Sequence, residues 1–317
     1  MRLGVLYALL AGMVWGIVYI TPLMLSDYPP VMQSFARYLA FGLISIPLAW
    51  IDHAALRSLK STDWLEALKL AAVGNFVYYT CLASALQRAG GPLPTMIVGT
   101  LPVVIAVCSN LRDAKRDGML PWRHLLPVLA VMAVGIGLVN HVELQALYAS
   151  PHPDVWRYAS GGLLALIATA CWTWYPLRNA DWMRRHPARS PRVWATAQGL
   201  MCLPMAILGY AVLCAYYGQS GDGFVMPLGP RPFVFVGLMI SVGFLASWLG
   251  TVCWNEASKR LPTALGGQLI VFETLAALFY AFLWRGQTPA PLALTGIVLL
   301  IVGVLWGVNI RPVKLER

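Results

Sequence analysis

LPTALGGQLIVFETLAALFYAFLWRG, running from Leu261 to Gly286, decides how the chain is read. It is long and apolar enough to cross a bilayer, yet it carries Glu273 near its middle. A helix starting at Thr263 would place that carboxylate about ten residues in, roughly 15 Å at ~1.5 Å per residue, close to the centre of a ~30 Å hydrocarbon layer. An ionised side chain costs at least ~2.5 to 3.5 kcal/mol at that depth, so it has to face a cavity or a partner instead of lipid. Two roles are open to it: a structural carboxylate bonded to a neighbouring helix, or a group that binds substrate or carries a proton.

Outward from this stretch the chain stays apolar. Of its 317 residues 59% are hydrophobic and 11% charged, against roughly 45 to 50% and 25% in an average soluble domain, and the mean hydropathy is +0.66. These values predict an all-α membrane protein of many spans. The net charge of +10 does not point to nucleic acid, because the Lys and Arg sit in short clusters between apolar runs and not on one face. Ten apolar runs are bounded by charges or Pro/Gly clusters, at about 3–25, 30–51, 64–87, 92–111, 124–140, 159–178, 193–217, 232–257, 263–284 and 290–309. Seventeen of the 23 Lys and Arg fall at the two ends of the chain and in the connections 52–61, 112–123, 178–192 and 258–262. Only Arg88, Arg157, Arg231 and Arg285 fall on the other face. The positive-inside rule therefore places both termini in the cytoplasm. The N-terminal run is too long for a signal-peptide core and has no small-residue cleavage site, so it reads as an uncleaved first span.

Ten spans with five in each half require the halves to be inverted. LYALLAGMVW (Leu6 to Trp15) and LLALIATACW (Leu163 to Trp172) align without gaps and share Leu6/Leu163, Ala8/Ala165, Leu9/Leu166, Ala11/Ala168 and Trp15/Trp172. An offset of 172 pairs Asn75 with Ser247 and Tyr79 with Thr251, and one of 168 pairs Val134-Gly135 with Val302-Gly303. The expected organisation is a first repeat over 1–140 (spans 1 to 5), an external loop over 141–158 and a second repeat over 159–317 (spans 6 to 10).

Several motifs stand in a characteristic order: Trp15-Gly16, Arg37 in FARYLA, ASALQRAGGPLPTMIVGTLP (Ala83 to Pro102), WNEASKRLPTALGGQLIVFETLAALF (Trp254 to Phe279) and GIVLLIVGVLWGV (Gly296 to Val308). Over nearly its whole length the chain resembles the EamA-type branch of the drug/metabolite transporter (DMT) superfamily. The resemblance implies ten transmembrane helices in two inverted five-helix repeats around a central cavity. It also implies a bacterial inner-membrane location and export of a small amphipathic metabolite, such as an amino acid or related compound, by alternating access. Two departures stand out. The family often has Glu-Pro where this chain has Glu273-Thr274, which predicts a less kinked ninth span, and Gly-Glu where it has Gly286-Gln287, which removes an external acid.

On the eighth span Ser241, Ser247, Trp248, Thr251, Trp254, Asn255 and Ser258 fall within an arc of about 140° at ~100° per residue, which predicts a wet face. The third span adds Asn75, Tyr78 and Tyr79, and the first and sixth add Trp15, Tyr19, Thr169, Trp172 and Thr173. Ser and Thr often bond their own helix's carbonyls, whereas Asn75, Asn255 and Gln268 are costlier to bury. Trp15, Trp172 and Trp248 lie deeper than the interfacial belt, which suits a pocket wall for aromatic or cationic groups. Arg37, some seven residues into the second span, either snorkels to the surface or reaches the cavity. Neither it nor Glu273 has a charged counterpart in the other repeat, where Leu101 matches Glu273. A charge the fold required would be expected in both. The candidate substrate and proton site is therefore Glu273, Arg37, Trp15, Tyr19, Asn75, Tyr79, Trp172, Trp248, Thr251, Asn255 and Gln268, with Glu273 exchanging a proton for substrate. Glu66 with Lys69, and Glu256 with Lys259 and Arg260, have helical ion-pair spacing.

No enzyme is expected: the five histidines lie in loops or at span ends, and no HExxH, GxSxG or Walker motif is present. The six cysteines, Cys81, Cys108, Cys171, Cys202, Cys214 and Cys253, lie in apolar runs without CxxC spacing, so neither disulfides, a metal nor another cofactor is expected. The expected partners are a small-molecule substrate and the lipid bilayer, with a homodimer left open. Efflux of cationic or aromatic drugs is the alternative within transport, and a non-transporting scaffold or sensor the alternative outside it. The basic bias makes a topology prediction: reporter fusions after Arg317 and within 178–192 read cytoplasmic, and one within 141–158 reads external. A cytoplasmic signal from that last position sinks the ten-span reading.

Overall fold

The protein is described here by a computed structural model covering residues 2–117, 121–149, 154–219, 224–261, 269–286, 288–310 and 313. Among these residues the chain forms helices and connections, with no β-strand. In order they are α1 (Arg2–Met24), α2 (Pro30–Ile51), α3 (His53–Arg57), α4 (Ser61–Lys69), α5 (Tyr78–Ala89), α6 (Pro92–Val98), α7 (Leu101–Asp117), α8 (Trp122–Tyr148), α9 (Val155–Arg185), α10 (Pro191–Gln219), α11 (Pro232–Val242), α12 (Gly250–Arg260), α13 (Val271–Arg285) and α14 (Pro291–Val308). Two π-helical stretches, Leu70–Val77 and Gly243–Leu249, join α4 to α5 and α11 to α12. Among the described residues five helical runs are long and apolar enough to cross a membrane: Arg2–Met24, Pro30–Ile51, Trp122–Ala146, Pro191–Gly218 and Pro232–Arg260. Shorter apolar helices cover Pro92–Ile105, Phe272–Trp284 and Pro291–Gly307.

Local sequence sets many of the boundaries. Helices α2, α6, α10, α11 and α14 each begin at a proline, whose fixed φ and missing N–H suit the first helical position. Helix α13 ends at Gly286, which takes the left-handed conformation at φ +60°. The polarity is inside out relative to a soluble protein. Phe233 and Trp156 present 92% and 80% of their surface outward, while Arg37 and Glu273 keep 4% and 2%. Only an apolar solvent favours that arrangement.

Three expectations need correction. Thr263 lies outside the described residues, but Ile270 forms a turn and α13 starts at Val271, so Glu273 sits in the first turn of a helix and not ten residues into one. The Glu273 amide closes that turn by donating to the Ile270 carbonyl at 2.9 Å. The interruption forms even though Thr274 replaces the expected proline. Glu66 does not pair with Lys69. It accepts from Arg178 on α9 at 2.5 and 3.2 Å, because a guanidinium fork on a facing helix offers two bonds. The fifth span does not stop at Asn140, since α8 stays helical to Tyr148. The Glu256 to Arg260 pair forms as spaced, at 2.5 Å.

The helices pack in definite pairs: α1 along α12 and α13, α9 along α5 and α6, α2 along α10, and α8 along α14. Gly12 and Gly16 let α1 approach α13 closely, since a Cβ on Gly12 would stand 2.9 Å from the Glu273 nitrogen and one on Gly16 2.6 Å from Ala276 Cβ. At Gly99, between α6 and α7, a Cβ would stand 2.8 Å from Thr274 Cγ2, so two interrupted helices meet at their breaks. Ion pairs tie the ends: Arg192 to Asp52 and Arg178 to Glu66 at one, Arg231 to Asp27 at the other. Hydrogen bonds from Arg231 hold the Asp27 carboxyl below the usual carboxylate range.

The α1–α13 contact yields a stability prediction. Gly16→Ala should lower unfolding stability in detergent by about 1–3 kcal/mol, the cost of overpacking a tight contact. Gly237→Ala, inside α11 where a Cβ would meet nothing within 4 Å, is the control and should hold or raise stability by up to about 1 kcal/mol. Equal effects at both positions would mean that the close approach is not required.

Candidate functional site

The wide turns build the centre of the molecule. In Gly243–Leu249 the Gly250 amide bonds back to Leu245, one residue further than in an α-helix. The neighbouring Ala246 carbonyl accepts the Trp15 indole N–H at 2.8 Å. The same turn carries Ser247, whose hydroxyl accepts from Arg37 Nε at 2.9 Å. The other π turn carries Asn75, whose amide reaches Cys202 Sγ at 3.3 Å. π turns of this kind recur at functional sites because they re-aim side chains that an α-helix would present elsewhere.

Arg37 and Glu273 face one enclosed cavity lined also by Trp15, Asn75, Trp172 and Thr251. Only about 10 Å³ is open to the centre of a water molecule, room for about one water. The Arg37 guanidinium lies 4.4 Å from the Tyr79 ring centre and 5.0 Å from that of Tyr38, a cation held on two aromatic faces. Glu273 Oε1 accepts from the Tyr19 hydroxyl at 3.0 Å. One wall is a stack of rings, with Trp172 between Tyr78 at 4.6 Å and Tyr175 at 4.9 Å, and Trp15 edge-on to Trp172 at 5.2 Å.

Among the described residues six buried side-chain polar atoms lack a hydrogen-bond partner, and five belong to this centre: Arg37 Nη1, Tyr38 Oη, Tyr79 Oη, Trp172 Nε1 and Glu273 Oε2. The Trp172 indole N–H faces the Glu273 carboxylate but falls short of a bond. Leaving a buried polar atom unpaired costs about 1–3 kcal/mol, more if it is charged. Such atoms are rare in folded proteins, and five of them gather around one cavity.

The predicted residues divide clearly. Glu273, Arg37, Trp15, Asn75, Trp172 and Thr251 line the cavity, and Tyr19 and Tyr79 hold its two charges from behind. Asn255 does not reach it. Its carboxamide accepts from Asn179 at 2.8 Å and donates to the Pro191 carbonyl at 3.3 Å, so both its ends are engaged in a separate network. Trp248 packs on Phe244 and donates to Thr196 at 3.4 Å, and it does not line the cavity. Gln268 lies outside the described residues. Thr169 and Thr173 bond carbonyls of their own helix at 2.8 Å each. Tyr38, Tyr78 and Ser247 line the cavity as well. The polar arcs of the third and eighth spans contain Tyr78 and Ser247, while Tyr38 carries no signal beyond adjacency to Arg37. No metal-binding cluster occurs among the described residues.

In sequence the chain is similar to known membrane transporters. The EamA-like transporter family matches residues 2–116. Inner membrane protein YtfF of Escherichia coli (strain K12) is 50% identical over 311 residues, covering 98% of this chain and 96% of that one. A protein of Streptantibioticus cattleyicolor named "Probable terminal-alkyne amino-acid exporter" is 28% identical over 71% of this chain and 80% of its own. A solved structure described only as a crystal structure of a protein superposes with a TM-score of 0.62 over 96% of each chain at 17% identity, a likeness in fold alone.

The Tyr19 bond can be tested on its own. Tyr19→Phe leaves both Glu273 oxygens without a donor and should cost about 1–3 kcal/mol of unfolding stability in detergent. In a Glu273→Leu background, where no acceptor remains, the same change should cost almost nothing. Equal costs in both backgrounds would show that the bond contributes nothing.

Proposed function

The chain belongs to the EamA-like transporter family, and from that premise we propose that it is a bacterial inner-membrane secondary transporter. Its cargo is a small amphipathic metabolite, an amino acid or a related compound, exported by alternating access. The observation that carries this reading is the narrow cavity in which Arg37, Glu273 and an aromatic wall meet, with Arg37 Nη1 and Glu273 Oε2 left without partners. The name of the Streptantibioticus relative supports an amino-acid cargo, and that of the Escherichia coli relative supports the inner membrane. Efflux of a purely cationic drug fits less well, because Arg37 repels a lone cation in a space with almost no water to screen it.

The architecture we propose is ten spans in two inverted repeats, the first carried to Tyr148 by α8 and the second running over 159–317, with both termini cytoplasmic. The packing supports it. Exchanging the halves turns the contact of α1 with α13 into that of α9 with α7, and the contact of α1 with α12 into that of α9 with α5. The pairs α2–α10 and α8–α14 map onto themselves. The two π turns end at Val77 and Leu249, the same offset that pairs Tyr79 with Thr251. Ion pairs at both ends and a cavity with room for about one water support reading this form as a closed one.

Transport is coupled to protons through Glu273, which releases its proton when cargo enters and takes one back when cargo leaves. The titratable and charged groups around it are Tyr19, Tyr78 and Arg37. Glu273→Gln removes the titrating group while keeping shape and an acceptor for Tyr19. In proteoliposomes the variant should lose transport driven by a pH gradient, retain downhill exchange and melt near the wild-type temperature. Unchanged gradient-driven flux would end the proton-carrier reading, and no flux of any compound from the wild type would end the transporter reading.

A further inference from the structure

Building on the transporter reading, we propose that Arg37 and Glu273 form a two-point clamp for a zwitterion, Arg37 taking the carboxylate and Glu273 the ammonium of an α-amino acid. The two groups share one cavity, yet no ion pair joins them: Arg37 Nε is spent on Ser247 and its plane rests on Tyr79 and Tyr38, while Glu273 Oε1 is spent on Tyr19. Opposite charges buried in a low-dielectric space attract strongly, and a role confined to stability would be met best by closing them into a salt bridge. Neutral side chains instead hold them apart on different elements, Arg37 on α2 and Glu273 in the first turn of α13.

Each charge keeps one unused atom, and the two atoms have opposite character. Arg37 Nη1 is a donor without an acceptor, and Glu273 Oε2 is an acceptor without a donor. A carboxylate supplies what the first lacks and an ammonium what the second lacks, each as a charge-assisted bond. A molecule that carries both balances the site, with no net charge added to the cavity. A lone amine leaves Arg37 unmatched, and a lone acid leaves Glu273 unmatched. The hydroxyl of Thr251 and the carboxamide of Asn75 lie on the same wall as further polar groups, and the rings of Trp15 and Trp172 border the space left for an apolar side chain. The present volume has no room for such a ligand, so binding must move the walls apart, as the opening of either end would do.

The test uses purified full-length protein in detergent and ligand-induced thermal shift, because a ligand of the folded state raises its stability by mass action. The twenty standard L-amino acids are screened first. The strongest binder is then compared with its decarboxylated amine and its deaminated acid. The proposal expects at least one amino acid to stabilise the wild type and each one-charge analogue to bind about tenfold or more weakly. Arg37→Gln should abolish the preference for the amino acid over the amine, and Glu273→Gln the preference over the acid. Arg37→Lys, which keeps the charge, should restore part of the first preference and serves if the Gln variant does not fold. An amine or an acid that binds as well as its amino acid overturns the clamp, as does a screen in which no amino acid stabilises the wild type. Either result leaves the transporter reading standing as long as the vesicles move some other solute.

Discussion

The attraction between the Arg37 guanidinium and the Glu273 carboxylate, present in one cavity but not consummated in a salt bridge, is the constraint on which the rest of the structure depends. Two charges buried in an apolar shell need either each other or substitutes. Here the substitutes are built in. The faces of two tyrosines and a serine hydroxyl stand in for a carboxylate around Arg37. A tyrosine hydroxyl and the start of a helix stand in for a cation around Glu273. Each substitute satisfies only part of its charge, leaving Arg37 Nη1 and Glu273 Oε2 without partners.

Keeping the substitutes in place demands unusual backbone. Irregular chain at membrane depth is tolerated only where protein buries it or where it lines a cavity, and both conditions hold at this centre. The turn before α13 brings Glu273 to a helix start, and the break between α6 and α7 packs against it through Gly99 and Thr274. The π turn at Gly243–Leu249 carries Ser247 to Arg37 and its own carbonyl to Trp15. Small residues on α1 then set the depth of Tyr19, since Gly12 and Gly16 let that helix lie against the backbone of α13. Gradual bending of regular helices would not reproduce these placements.

The ends of the molecule work differently from its centre. Arg178 to Glu66, Arg192 to Asp52 and Arg231 to Asp27 are partly exposed pairs, each worth little in water. Weak bonds at the rims and strong constraints at the core suit a carrier, because closing and reopening an end then exchanges interactions of similar size. The network of Asn179, Asn255, Trp194 and Gln198 is a different kind of element. It is buried and hydrogen-bonded throughout and ties α9, α10 and α12 together.

What the sequence determined by itself follows from one-residue costs. Hydropathy assigned an all-helical membrane protein, and the expense of burying Arg37 and Glu273 singled them out among 317 residues. The paired Trp15 and Trp172 marked the wall, and the polar arc of the eighth span contained Thr251 and Ser247. Tertiary structure alone decided the matters that depend on pairs. Asn255 shares the arc with Thr251, yet a partner on α9 takes it out of the site. Glu66 has Lys69 at helical spacing and still bonds Arg178 across the interface. The turn at Ile270 arises without the proline that would announce it, and Tyr38 enters the cavity with nothing but its neighbour to mark it. Solvation is a sum over single residues and can be read along a chain. Packing and hydrogen bonding are properties of two surfaces that meet only after the chain has folded.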